Sequence, residues 1–363
     1  MKRPLLSGLI CLSTIFAYST PALTCSKVLW QSKSSPEVIV GRNMDWLEDT
    51  RSNLWLFPRG MARDGSVGEN SLKWTSKYGS VGLSIYDIGT ADGINEKGLS
   101  MSMLYLTETD FGKRDPKMPG LSVTLWGQYF LDNFATVQEI VDSLKANPFQ
   151  VVQVDVDTAQ GKKEGTVHLS LSDNTGDSVV LEYVNGKLQT YHNKDFVVMT
   201  NSPTYDKQLE IIRQYKGFGG SKALPGTTEA ADRFVRAAYY TSHLPDTKDY
   251  REAVAGVFSV LRNVSQPFGV SDPARPNISP TRWRIVADLT KRIYYYENTE
   301  SPNLVWVELE KLNFDKKQKT KKINLVKNFS LVGNITDKFK DVSTMKFMAT
   351  DSSSTPKSES KTE

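Results

Sequence analysis

Short apolar runs, alternating or continuous and bounded by Gly, Pro, Asn, Asp and Ser, recur along most of the chain and predict strands. "SKVLW" and "EVIVGRN" flank "QSKSSP", and "SVGLSIYDI" and "LSMSMLYL" lie on either side of "TADGINEKG". "TVHLSLS", "SVVLEYV", "LQTYHN" and "FVVMT" read as a meander with turns at "DNTGD" and "VNGK". "TRWRIVADLTKRIYYYEN" and "LVWVELEKL" read as a late hairpin. A helical period is confined to "LSVTLWGQYFLDNF", "TVQEIVDSLKAN", "TEAADRFVRAAYYTSHL" and "DYREAVAGVFSVLRNV". In the second of these, Thr136 and Glu139 have capping-box spacing. Strands clustered around helical pairs predict an α+β fold with antiparallel sheets, and argue against a doubly wound parallel one.

The first residues depart from this pattern. Lys2 and Arg3 precede the apolar run "LLSGLICLSTIFAYS" and then small residues, so 1–24 reads as a secretion signal, or 1–22 followed by the short pro-segment Leu23–Thr24. The run is too short and isolated for a membrane span. A periplasmic or secreted protein is expected, with one domain over 25–345 and a disordered polar tail over 346–363. Formal charge falls from +4 to +2 without Lys2 and Arg3, and no basic stripe with interleaved aromatics suggests nucleic acid. "KKQKTKK" at 316–322 is expected to be a solvated loop. His168, His192 and His243 lie on unrelated segments, the first two at surface or half-buried strand positions, and no HExxH, CxxC, P-loop or GxSxG occurs. No metal or cofactor is expected.

Of two cysteines, Cys11 lies inside the signal, so Cys25 is the lone thiol of the processed chain. An unpaired cysteine in an oxidising compartment needs a use or a shelter. A turn near Ser34 would pair position 25 with position 43 and bring Arg42 and Asp45 of "GRNMDW" within reach. A free α-amine ordinarily titrates at about pH 7.7 to 8.0, so an N-terminal cysteine carries nucleophile and base on one residue. A neighbouring arginine favours the thiolate, and a carboxylate can orient the amine. The same spacing also fits a strand that ends in solvated charges, and at this point both readings stay open.

"CSKVLW", "GRNMDW", "DGINEKGLSMSMLY", "MTNSPTYDKQ" and "DRFVRAAYY", in this order, resemble the choloylglycine hydrolase family of N-terminal nucleophile hydrolases, which contains bile salt hydrolases and penicillin V acylases. The resemblance implies a four-layer αββα sandwich and a cofactor-free amidohydrolase acting on N-acylated small molecules. It makes Cys25 the nucleophile, with Arg42 and Asp45 positioning its thiol and amine. It aims the Asn201 side-chain amide at the oxyanion and makes Arg233 the second active-site arginine. It also has the backbone N–H of Tyr105 complete the oxyanion hole. Bile salt hydrolases of the family usually carry asparagine where Tyr105 stands, and penicillin V acylases tyrosine. The short span from Asn201 to Arg233 is like the Gram-negative branch, some of whose members cleave N-acyl homoserine lactones, and leaves a homo-oligomer open.

Met44, Trp46, Met103 and Tyr105 are the expected substrate-pocket residues, with Met103 preferred over Met101 because Tyr105 sets the strand phase. A penicillin V acylase-like or acyl homoserine lactone acylase activity is expected. Conjugated bile salt hydrolysis is the alternative. A competing class is a non-enzymatic lipoprotein anchored through Cys25. "ALTC" is a poor lipobox, and an anchor would leave Arg42, Asp45, Asn201 and Arg233 without a joint role, so no stable membrane anchor is expected.

Overall fold

The computed structural model describes residues 25–158, 161–215, 222–269 and 279–350. The predicted signal and residues 351–363 of the predicted tail lie outside them. Two largely antiparallel sheets pack face to face. The first runs in the order Val198–Met199, Cys25–Gln31, Val38–Asp45, Thr281–Asp288, Ile293–Asn298, Leu304–Glu308, Gly333–Asn334. The second has nine strands, with Val167–Ser172, Ser100–Tyr105, Gly89–Asn95 and Ser80–Ile85 adjacent at its centre. Helices Ala230–Ser242 and Tyr250–Asn263 cover the first sheet, and helix Val123–Asn133 covers the second. The result is the expected αββα sandwich.

The first hairpin positions the chemistry. Cys25 pairs with Met44, one residue beyond the expected register, and Lys27 pairs with Arg42. Side chains directly opposite each other share a face, so Cys25, Lys27, Arg42 and Met44 lie on one face of the sheet. On the other face, Gly41 lets helix Tyr250–Asn263 approach: a Cβ there would sit 2.7 Å from Val257 Cγ1 and 2.9 Å from Leu261 Cδ1. Gly127 plays the same part in helix Val123–Asn133, where a Cβ would meet Met101 Cε at 2.3 Å. Met101 therefore fills a notch in that helix.

Several expectations are corrected. "TADGIN", to which the pattern assigns no element, forms a central strand although Gly and Asp argue against one; its Asp92 has a buried cationic partner. "FVVMT" leaves the meander, and its Val198–Met199 pairs with the first strand of the other sheet. Helix Tyr205–Ile212, eight residues behind Pro203, was not legible as a helix. The basic run is only partly loop: Lys321–Ile323 is a strand, with the Lys322 ammonium 4.9 Å from the Trp55 ring centroid. His168 is fully buried against Glu182, at 2.8 Å, because a carboxylate partner makes an interior imidazole tolerable. The tail expected from 346 starts too early. Phe347 and Met348 pack on the core, and the Met348 N–H donates to the Ile88 carbonyl at 2.8 Å.

Candidate active site

Cys25 opens the strand between Val38–Asp45 and Val198–Met199 and is buried. Because Lys27 pairs with Met199, continuing that register places Asn201 opposite Cys25. The thiol faces the inter-sheet space, with Sγ 3.7 Å from Met44 Sδ. Arg42 lies beside it on the same face. Its Nη1 donates to the Ala91 carbonyl and stands 3.5 Å from Asp92 Oδ2, and its Nη2 donates to the Met103 carbonyl. Its guanidinium sits 5.0 Å from the Trp283 ring centroid. Asp92 is itself held by Ser102 Oγ at 2.6 Å and Tyr294 Oη at 2.8 Å. This shell fixes a full positive charge near the sulfur. Burial nevertheless raises the Cys25 thiol pKa, and Arg42 and the Asp45 N–H only partly offset it.

Arg233 approaches from helix Ala230–Ser242. Its Nη1 donates to the Cys25 carbonyl at 2.5 Å and to Ser26 Oγ at 2.6 Å, and its Nη2 to Asn201 Oδ1 at 3.0 Å. Asp45 Oδ2 is 3.8 Å from Arg233 Nη1, and Asp45 Oδ1 accepts from Thr281 Oγ1 at 2.5 Å. Burial pushes the Asp45 carboxyl up to about 6, against the pull of Arg233 and of hydrogen bonds from Thr281 and Gln266. The Cys25 backbone nitrogen donates to Asn201 Oδ1. Asn201 Nδ2 donates to the Tyr105 carbonyl at 2.6 Å, so one of its two hydrogens is engaged there. Leu106 N–H bonds to the Thr166 carbonyl in the neighbouring strand. By antiparallel alternation the N–H of Tyr105 then points away from that strand, to the side where Asn201 meets its carbonyl.

The six candidate catalytic residues are thus brought together, and the four expected pocket residues join them. Cys25, Arg42, Met44, Trp46, Met103 and Tyr105 all line a cavity of about 90 Å³. Trp46 is fixed by Nε1 donating to Tyr86 Oη at 2.8 Å, which in turn donates to Glu48 at 2.6 Å. Met101 shares the strand face of Met103 and Tyr105 but does not line the cavity, because it lies further along the strand and fills the notch at Gly127. Sequence reasoning missed the opposite wall, made by Val154, Val156 and Val167, with Lys163 and Glu164 beside them. The alternation at "VQVDVDT" was the signal available for it. Among the described residues, no three His, Cys, Asp or Glu side chains gather as a metal set.

The sequence signature described as linear amide C–N hydrolases, choloylglycine hydrolase family, matches residues 25–322. A penicillin V acylase of Pectobacterium atrosepticum is 44% identical over 330 residues, covering 83% of this chain and 87% of its own. A bile salt hydrolase/transferase of Clostridium perfringens is 28% identical over 317 residues, covering 79% and 93%. The structure of penicillin V acylase from Agrobacterium tumefaciens superposes with a TM-score of 0.82 at 44% identity, over 90% of this chain and 100% of that one.

Proposed function

The chain belongs to the choloylglycine hydrolase family of linear amide C–N hydrolases, and from that membership we propose that Cys25, once it is the first residue, attacks the amide of a flat aryl-acyl or flexible alkyl-acyl substrate. Penicillin V and long-chain acyl homoserine lactones have such acyl groups. The observation that carries the substrate reading is the lining of the cavity beside Cys25. Tyr105 stands in its wall with Met44, Trp46, Met103 and Val156, an apolar, adaptable surface with a ring face against which a flat aryl or a flexible alkyl group lies more readily than a rigid steroid.

The proposed chemistry follows from the contacts. With its pKa raised, the thiol gives its proton to the α-amine as sulfur attacks the carbonyl carbon. The resulting ammonium is held by Asn201 Oδ1, which the same nitrogen already meets, and by the carboxylate of Asp45. The oxyanion is met by the second hydrogen of Asn201 Nδ2 and by the N–H of Tyr105, where charge appears only during reaction. The ammonium then protonates the leaving amine, the C–N bond breaks, and a thioester remains. Water, deprotonated by the amine, releases the acid and restores the thiol. Residues 1–24 are removed before any of this, because an acylated nitrogen is no base.

The test is a panel of penicillin V, a long-chain acyl homoserine lactone, glycocholate and taurocholate on protein beginning at Cys25. One of the first two should exceed both bile salts in kcat/KM by roughly 10- to 200-fold, the range that pocket shape supplies. Tyr105→Asn should narrow the gap, and Cys25→Ala should abolish turnover. A preference for glycocholate overturns the substrate reading. More than a few per cent of activity in Cys25→Ala overturns the nucleophile.

A further inference from the structure

Asn201 is held by no strand or helix. The strand Val198–Met199 ends just before it and helix Tyr205–Ile212 begins after it, so its placement depends on what secures the irregular backbone between. Thr200 and Asn201 are fully buried, and their backbone groups need partners away from water.

Those partners come largely from one side chain. Gln208, on the first turn and a half of the following helix, is fully buried. Its Nε2 donates to the carbonyl of Asn201 and to that of Pro203, the latter at 2.7 Å. Its Oε1 accepts from the Thr200 N–H at 3.3 Å and stands 3.1 Å from the Thr200 hydroxyl, which also reaches the Ala230 carbonyl at 2.9 Å. The whole carboxamide is therefore spent on the residues around Asn201, with both donor hydrogens on carbonyls and the oxygen on an N–H. The far end of the turn is secured separately. Glu182, paired with His168, accepts the Tyr205 N–H at 3.0 and 3.1 Å.

We propose that Gln208 is a positioning residue for the hydrolysis: it touches neither substrate nor thiol, and sets the Thr200–Pro203 backbone so that the Asn201 amide meets both Cys25 and the oxyanion. The inference rests on the reading of Asn201 as oxyanion donor given above. A donor displaced by a fraction of an ångström stabilises the transition state less while leaving the acyl pocket intact, so the loss falls on kcat.

The experiment uses Gln208→Glu, Gln208→Met and Asn201→Ala, each beginning at Cys25, with the N-acyl amide that the wild-type protein turns over fastest. In Gln208→Glu a carboxylate faces two carbonyl oxygens, whereas the protonated acid returns one donor. Burial and those carbonyls favour the acid form. At pH 8, kcat is expected to fall about 10- to 100-fold with KM within about threefold. Between pH 8 and pH 5 the ratio of variant to wild-type kcat should rise at least about fivefold as the donor returns. Gln208→Met should show the same loss of kcat without recovery. A purely structural role would lower thermal stability without a split between kcat and KM and without the pH-dependent recovery. Should Gln208→Glu fail to fold, the split in Gln208→Met decides. Wild-type kcat in a folded variant, or kcat and KM changing together, overturns the proposal. If Asn201→Ala keeps full activity, the reading of the site itself fails. If Asn201→Ala loses about 100-fold or more and the Gln208 variants lose nothing, only the role of Gln208 does.

Discussion

Strand pairing sets Lys27 opposite Arg42 in the layer between the sheets, where its Nζ donates to Ser172 Oγ at 3.0 Å. Burial lowers its pKa to about 7, with Asp92 opposing the shift. Between about pH 7 and the ordinary lysine value of about 10.4, the unfolded chain then binds a proton that the folded protein does not, so this residue's contribution to stability improves as pH rises. Below pH 7 both states carry the charge and the penalty is fully present. Lys27→Met should therefore gain most over wild type near pH 7, and its advantage should shrink toward pH 10, with a slope of at most about 1.4 kcal/mol per pH unit. Paired thermal melts at pH 7 and pH 10 check this. A constant offset between the two proteins would show that Lys27 titrates normally. The same layer holds Asp92 and His168, also buried. None of the three was legible as interior, because a one-dimensional pattern gives charged residues to the surface and their partners are distant in sequence. Cys25, Arg42 and Asp45 were legible because they stand in stretches with a chemical reading, and Asn201 and Arg233 only through the family resemblance, although the hydrogen bonds of all five were not.

The hairpin of Asp155–Thr158 and Gly161–Glu164 pairs with itself and belongs to neither main sheet. Its base is tied by the Gly165 N–H to the Val154 carbonyl at 2.9 Å. It contributes Val156 to the cavity wall, and Val154 stands just before it. An acyl group seated in the cavity covers that valine, which is worth about 1.5 kcal/mol when fully buried. Val156→Asp should therefore raise KM about tenfold or more while kcat changes less than about threefold. An unchanged KM in steady-state kinetics would mean that substrate does not touch this wall. The long strands and helices Ala230–Ser242 and Tyr250–Asn263 were legible from period alone. This hairpin was not, because "TAQGKKEG" is polar and its apolar side is only two or three residues long. Helix Tyr205–Ile212 was hidden for a related reason: two turns give too few repeats for a period to show.

On the scale of the molecule, the end of the described chain returns to the wall of the cavity beside Cys25. Met345 is buried beside Trp55 and Phe57, and the Met348 carbonyl accepts from Ser122 Oγ at 2.9 Å and Thr124 Oγ1 at 3.0 Å. Thr124 lines the cavity, as does Gly89, next to the Ile88 that receives the Met348 N–H. Ending the chain after Ser343 should cost about 3 kcal/mol or more from Met345 and Phe347, lower Tm by at least about 5 °C and raise KM. An unchanged melting curve would place the segment off the body of the protein. The opposite end imposes a different limit. Cys25 lies inside a sheet, with a strand on each side and an arginine near each face, and its nitrogen is proposed to work as a free amine. Under that proposal the gene cannot be circularly permuted through this point. Joining the old ends would leave the same fold with an amide where the base should be, and the starting point of the polypeptide would itself be part of the catalyst.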